Sequence, residues 1–306
     1  MKRFSGFGMG LVLFMCLFMT GCAEAEAGPD DVVVLSFAVL GDAEPKPDPE
    51  FPNLEAAVRH VNAMASDGRL DFVVGVGDIP HKGTLIQYEN VTPVLQQLTL
   101  PFYPIMGNEE HGSTTERFLE YANLWNSGKA EITSISYVRE HDDVVMVHAS
   151  PDFSRDFDDT GIMWMREQIQ SAAPKPVILV VHAAQAGVYD EDPEKGVTHP
   201  GFAEIVEQPN LIAVISGDLH MDMDRVDHSK QIGHVHYLHI PALERTKIPD
   251  ESRHDPMFRV FTLDSGGVVH VDTYRVGEAD PLGEHAYRFS LSSSQEPSVV
   301  TSGLGR

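Results

Sequence analysis

Cysteine is nearly missing from this 306-residue chain, which has 2, Cys16 and Cys22, both within the first twenty-two positions. The remainder can form no disulfide and offers no thiolate to zinc. Positive charge is scarce as well: Lys and Arg number 22 against 46 Asp and Glu, a formal net charge of -24. Such a surface repels nucleic acid and anionic lipid head groups, which excludes both as expected partners. The same excess suits solubility in a salty medium, or the gathering of divalent cations. No internal repeat is visible. What is present, 42% hydrophobic and 8% aromatic residues, suits one domain of about 250 residues with tails, large enough to build a core without disulfides.

The chain opens with Lys2 and Arg3, an apolar run from Phe4 to Met19, and then Met19-Thr20-Gly21-Cys22. A basic start, a short apolar segment and small residues before a cleavage point describe an export signal. The run is short for a membrane span and is interrupted by glycines. Small residues placed before a cysteine resemble the bacterial lipoprotein box. That resemblance implies cleavage before Cys22, a lipid on its thiol and a place in the cell envelope, with the lipid as the only membrane contact. The alternative is an ordinary signal peptide cut near Ala25 or Ala27. The expected organisation is a signal over 1–22, a small acidic linker over 23–31, a folded domain over 32–280 and a patternless disordered tail over 290–306.

Between the tails, apolar runs alternate with helical spacing. Strands are expected at Val32–Leu40, Phe72–Val76, Phe102–Met106, Val177–Val181 and Leu211–Ile215. Helices are expected at Asn53–Ser66 (capped by Asn53), Leu85–Leu98, Thr115–Trp125, Ile162–Ala172 and Phe202–Val206. Ile132–Tyr137 and Val144–His148 suggest a hairpin turning at Glu140–Asp143. Ile232–Ile240, Phe258–Leu263 and Val268–Tyr274 are further strand-like runs. Strands alternating with helices, then strands alone, imply an α/β fold with a mixed sheet covered by helices.

The chemistry lies just after the buried strands. They end in Gly41-Asp42-Ala43-Glu44, Gly77-Asp78, Gly107-Asn108-Glu109-Glu110-His111, His182 and Gly217-Asp218-Leu219-His220. Each offers a carboxylate, amide or imidazole, and glycine supplies the tight turn in four of the five. All five are expected to converge on one sheet edge. Carboxylates and imidazoles suit divalent ions, and one carboxylate can bridge two of them. Such a pair can clamp a phosphoryl oxygen, hold a hydroxide and stabilise a leaving group.

The ordered set resembles the calcineurin-like metallophosphoesterase family, whose pattern runs Asp-x-His, Gly-Asp, Gly-Asn-His-(Glu/Asp), His, Gly-His-x-His. The resemblance implies a double β-sandwich flanked by helices in α-β-β-α layers. It further implies that Asp42, Asp78 and His220 hold one divalent ion, and that Asn108 and His182 share a second with a bridging Asp78. Three positions depart from the pattern, each placing an acid where the family has histidine: Glu44, Glu109 and Asp218. Glu44 and Asp218 remain potential ligands, and oxygen-rich ligation favours manganese, magnesium or calcium over zinc, with iron also compatible. Such ions are weaker Lewis acids, so the direction is slower hydrolysis.

Glu109 faces the substrate in this scheme, and an ionised glutamate repels phosphate. Either neighbouring carboxylates keep it protonated, or His111 or His81 serves in its place; exposed loop histidines are the plainer account of those two. Arg155 could bring positive charge to the cleft, with Phe153 and Tyr189 as neighbours. The acidic stretch Asp190–Lys195 suits a solvated surface loop. Asp222 and Asp224 suit a solvated hairpin edge, and His234, His236 and His239 suit structural packing. The implied activity is hydrolysis of a small phosphomonoester or phosphodiester. Its rivals are a degenerate relative that binds without turnover and a calcium-stabilised surface module.

Overall fold

The computed structural model describes residues 32–46, 49–244 and 254–292. The expected signal, its cysteine, the linker and nearly all of the expected tail lie outside these residues. Among the described residues no helix is long and apolar enough to cross a membrane.

The chain runs through β1 (Val33–Leu40), α1 (Pro52–Ser66), β2 (Phe72–Gly75), α2 (Leu85–Leu95), β3 (Phe102–Pro104), α3 (Thr115–Asn126), β4 (Tyr137–Glu140) and β5 (Val145–Ala149). It continues through α4 (Asp159–Ala172), β6 (Val177–Val181), α5 (Gly201–Val206), β7 (Leu211–Ser216), β8 (Ser229–Ile232), β9 (Val235–His239), β10 (Met257–Asp264), β11 (Val268–Arg275) and β12 (Tyr287–Ser290). The strands form two six-stranded mixed sheets, ordered β12-β11-β10-β1-β2-β3 and β4-β5-β6-β7-β9-β8. In the first, β1, β2 and β3 run parallel while β10 to β12 are antiparallel. In the second, β5, β6, β7 and β9 are parallel between antiparallel edges β4 and β8. This is the two-sheet α/β architecture that the family resemblance implies, with two mixed sheets where the strand and helix pattern alone suggested one.

Alternation along the strands assigns the layers. Ile178 and Val180 of β6 join Ala213, Ile215 and Leu238 in one core with residues of the first sheet and of α1 to α3. Val177, Leu179 and Val181 point the other way, into a second core with Met165 and Ile169 of α4 and Phe202 and Ile205 of α5. The helices form where apolar side chains recur on one face: Leu54, Ala57, Val58, Val61 and Met64 of α1 are all buried. Asn53 does not cap that helix. Pro52 occupies its first turn and Phe51 the cap, without a side-chain bond, because a proline there has no N–H to satisfy.

Two strand expectations need correction. The hairpin arm expected at Ile132–Tyr137 begins only at Tyr137, and the strand expected at Ile232–Ile240 is the turn and second arm of a β8–β9 hairpin. Gly233, at φ 62, makes that turn, where a side-chain-bearing residue is disfavoured. Beyond residue 280, β12 extends the first sheet, although only Phe289 of its four residues is buried. A single buried apolar side chain leaves no periodicity to detect.

Arg259 on β10 ties the two sheets together. It is fully buried, and it donates through Nη1 to the carbonyls of His228 (2.9 Å) and His239 (3.1 Å) and through Nη2 to Ser229 Oγ (2.6 Å). Truncation would take a donor from each of two carbonyls, of which that of His228 keeps the His239 N–H (2.9 Å), and open a buried cavity. Arg259→Ala is therefore expected to lose roughly 3 kcal/mol or more in a denaturant titration; a loss under about 1 kcal/mol would show that the link between the sheets does not depend on this side chain.

Candidate metal centre

The five functional strand ends come from both sheets, not from one sheet edge: β1, β2 and β3 from the first, β6 and β7 from the second. Backbone contacts bring them together. Gly41, just after β1, forms a parallel bridge with Ala242 of the segment leaving β9, and His182 Nδ1 lies 2.8 Å from the Val76 carbonyl across the sheets. Asp42, Asp78, Asp218 and His220 all adopt positive φ, at 44, 53, 71 and 52 degrees. That conformation is uncommon for residues with a side chain and gathers at functional sites. Gly107 permits the closest approach: a Cβ there would press on the Asp78 carboxylate and lie 2.8 Å from His182 Cε1.

Asp78 is at the centre, with no solvent exposure. Its Oδ1 accepts the Glu109 N–H at 2.8 Å and lies 3.4 Å from His182 Nε2. Its Oδ2 lies 3.6 Å from His220 Nε2 and has no hydrogen-bond partner. Asp42 and Glu44, also buried, approach the same His220 nitrogen at 3.2 and 3.6 Å. Two buried ligand groups result, Asp42–Asp78–His182 and Glu44–Asp78–His220, each with donor atoms within 4.8 Å of one another and with Asp78 common to both.

The tautomer of His182 follows from its surroundings. Nδ1 must carry a proton to donate to the Val76 carbonyl. Nε2 then faces acceptors: Asn108 Oδ1 at 3.3 Å, Asp78 Oδ1 at 3.4 Å and Asp218 Oδ1 at 3.5 Å. Such a nitrogen needs either a second proton or a cation beside it. Burial opposes the imidazolium, yet Asp78 and Asp218 outweigh it and hold the His182 pKa well above its ordinary value. Burial likewise opposes charge on Asp78, but the two imidazoles hold its pKa far below the usual range. Burial, then the Asp78 charge, pushes Glu44 up to about 7 against the pull of Lys46 and His220. Carboxylates and imidazoles turned on one another, with a buried oxygen left unpartnered, fit a divalent ion.

The mouth of the centre differs from expectation. Glu109 is not held protonated by its neighbours. Burial works against its charge, but the Lys82 N–H (2.7 Å) and the charges of Lys46 and His81 prevail, and its pKa falls below the ordinary value. Its Oε1 lies 3.5 Å from Lys46 Nζ, and its Oε2 lies 2.9 Å from His81 Nδ1. His81 Nδ1 also lies 3.0 Å from Glu44 Oε2, so of the two candidate histidines His81 is the one that meets this acid. His111 places Nε2 3.1 Å from the Pro151 carbonyl and belongs to none of the three metal-capable groups found among the described residues.

Arg155 does enter the cleft. Its Nε lies 3.0 Å from Asp218 Oδ2, and Nη2 donates to Asn108 Oδ1 at 3.1 Å. Phe153 is exposed, whereas Tyr189 is buried against His239 and under Lys230. Asp222 is buried and bonded to His254 at 2.7 Å, while Asp224 is exposed; His234 and His236 bond to the Gln208 carbonyl and Tyr287 Oη.

Three participants escaped the sequence argument. Lys195, from the loop expected to be solvated, lies 3.0 Å from Asp218 Oδ1 and also contacts the Asp218 carbonyl. Lys46, two residues after Glu44, approaches that carboxylate at 2.5 Å. Glu110 is fully buried and accepts the N–H groups of Asp78 (3.0 Å), Ile79 (2.8 Å) and Gly107 (2.7 Å), bracing two motif turns. Burial and the Asp78 charge raise its pKa to about 8. Only Glu110 had a usable signal, as an acid inside a motif.

Comparison with known proteins agrees with this geometry. No curated protein sequence matches the chain significantly. Among solved structures, GAP50, the anchor in the inner membrane complex of Plasmodium, superposes with a TM-score of 0.59 at 13% identity, over 86% of this chain and 90% of that one. A purple acid phosphatase, PPD1 from yellow lupin (Lupinus luteus) seeds, superposes with a TM-score of 0.60 at 11% identity, over 84% of this chain but 53% of its own. Identities this low establish a shared fold alone. The family model for calcineurin-like phosphoesterases matches residues 35–222, more than half of the chain and every motif from Asp42 to His220, and the protein therefore belongs to the calcineurin-like phosphoesterase family.

Proposed function

We propose that the protein is an exported, metal-dependent phosphoesterase that hydrolyses a small phosphomonoester or phosphodiester. The observation that carries this reading is the buried Asp78 carboxylate between two imidazoles, with Oδ2 unpartnered. Export and a lipid on Cys22 rest on the first twenty-two residues of the sequence, and mass analysis of the N-terminal peptide tests them.

Asp42, Glu44, Asp78 and His220 would hold an ion, with Asn108, His182 and Asp218 on the far side of Asp78. Once bound, the ion supplies Lewis-acid activation of water and of a phosphoryl oxygen. The protein's own groups do the rest. Arg155, reaching from the surface to Asn108 and Asp218, offers a guanidinium to a phosphate oxygen. The Val76 carbonyl fixes the orientation of His182. His81 is held near neutrality: burial lowers its pKa, and the Lys46 and Lys82 charges reinforce that against Glu109. It carries positive charge poorly at neutral pH, so attraction for phosphate falls to Arg155 and Lys46.

A second reading, binding without turnover, is favoured by Glu109. It stands ionised where the family pattern has histidine, and it repels phosphate. GAP50, described as an anchor, is a protein of this fold with a role other than turnover in its description.

Two measurements test the reading. On the chain lacking residues 1–22, p-nitrophenyl phosphate or its bis-ester is expected to be hydrolysed with added manganese or magnesium. Asp78→Asn is expected to lower that turnover by roughly a hundredfold or more; ion uptake with no turnover under any condition would establish the binding protein instead. The second concerns pH. Glu44 titrates near 7 in the metal-free protein, and an incoming ion must displace its proton. Ion affinity should therefore weaken as pH falls below 7, and calorimetry at pH 6 in buffers of different ionisation enthalpy should register proton release. The metal-free fold keeps that proton where an unfolded carboxyl has lost it, so its stability should decline as pH rises from the ordinary 4.5 toward 7. Ion binding at pH 6 without proton release would contradict this assignment.

A further inference from the structure

Building on the metal-dependent reading, we propose that the centre takes one divalent ion per chain rather than two. Arg155 and Lys195 fill, with their own charge, the half built from Asp218, Asn108 and His182.

The two halves differ in what already satisfies their donors. On the Asp42–Glu44–His220 side, Asp78 presents a buried oxygen without a partner. On the other side, where Asp42 and Asp78 also face His182, the acceptors of Asp218 and Asn108 are taken. Asp218 Oδ2 holds Arg155 Nε at 3.0 Å, and Oδ1 holds Lys195 Nζ at 3.0 Å. Asn108 Oδ1 accepts Arg155 Nη2 at 3.1 Å. Asp218 is almost entirely buried, so both of its charge-assisted contacts act where water screens them little. A second ion would have to strip two cations from this carboxylate and then lie beside a guanidinium that cannot lose its charge. Breaking a buried pair in this way is strongly unfavourable.

Formal charge points the same way. Counted with the histidines and the buried, raised-pKa Glu110 neutral and with Glu44 ionised as ion binding requires, five carboxylates converge here, those of Asp42, Glu44, Asp78, Glu109 and Asp218, against the three cations Lys46, Arg155 and Lys195. The two negative charges left over match one divalent ion. A second ion would leave a positive surplus in a buried site before any substrate arrived. Asp218 also stands where the family pattern has a neutral histidine, and an acid can recruit the two basic side chains that a histidine cannot. On this view a bound phosphate meets the Arg155 guanidinium where a second ion would otherwise receive it.

The test counts ions on the full chain, stripped with chelator and dialysed against manganese chloride. One manganese per chain, with the electron paramagnetic resonance spectrum of an isolated ion, is expected. Two per chain with an exchange-coupled spectrum would overturn the proposal while leaving the metal-dependent reading intact. No manganese at all would overturn that reading and the proposal with it. In the double variant Arg155→Met, Lys195→Met, folded by circular dichroism, a second manganese is expected. A folded double variant that still takes only one shows that these side chains do not exclude the second. If the double variant fails to fold, the wild-type count decides, with Lys195→Met alone as the variant arm.

Discussion

Like charges placed close together away from water are the constraint on which this structure turns. Asp42, Glu44, Asp78 and Asp218 are each almost completely buried, and an isolated carboxylate in such a place costs several kcal/mol. The protein answers with three kinds of partner. Backbone N–H groups bind Asp42 and Asp78. Imidazoles stand against Asp78 on both sides. Ammonium and guanidinium groups reach Glu44 and Asp218 from the rim. What these leave unbalanced is the negative charge that a cation would complete.

Such crowding needs a backbone that bends sharply at the ends of well-buried strands. The parallel strands β1, β2, β6 and β7 are apolar almost throughout, and their two cores absorb the cost of the loops beyond them. Four site residues take left-handed conformations, each costing of order 1 kcal/mol or more. The glycines allow the loops from opposite sheets to touch, as at Gly107 against Asp78 and His182. Glu110 then locks two of these turns through three N–H groups.

Each departure from the family pattern arrives with a compensating cation. Glu44 and Glu109 share the Lys46 ammonium, with the His81 imidazole bonded between them, and Asp218 pairs with Arg155 and Lys195. Under the proposed function, acids in place of neutral imidazoles would harden the centre toward oxygen-seeking ions. The recruited bases would then restore positive charge for an anionic ligand. Seen singly, the three acids look like losses; as acid–base pairs they form a differently charged site.

Much of this was determined by the sequence alone. Apolar runs ending in glycine and a polar residue are local patterns, so the five site-bearing strands, their order and the positions from Asp42 to His220 were available without coordinates. The two-sheet fold was what the resemblance carried by those motifs implied, while the strand and helix pattern alone indicated a single mixed sheet. Tertiary structure decided the rest. Strand ends from separate sheets meet because two layers stack, which no local spacing encodes. Whether Glu109 keeps or loses its proton depends on Lys46, His81 and the Lys82 N–H converging from three places. Lys195 sits in a stretch so acidic that a solvated loop was the natural expectation, yet folding across the cleft turns it onto Asp218. Residue types and their spacing are written along the chain, but electrostatic partners are chosen by distance in space, and long side chains choose theirs only after the loops are folded.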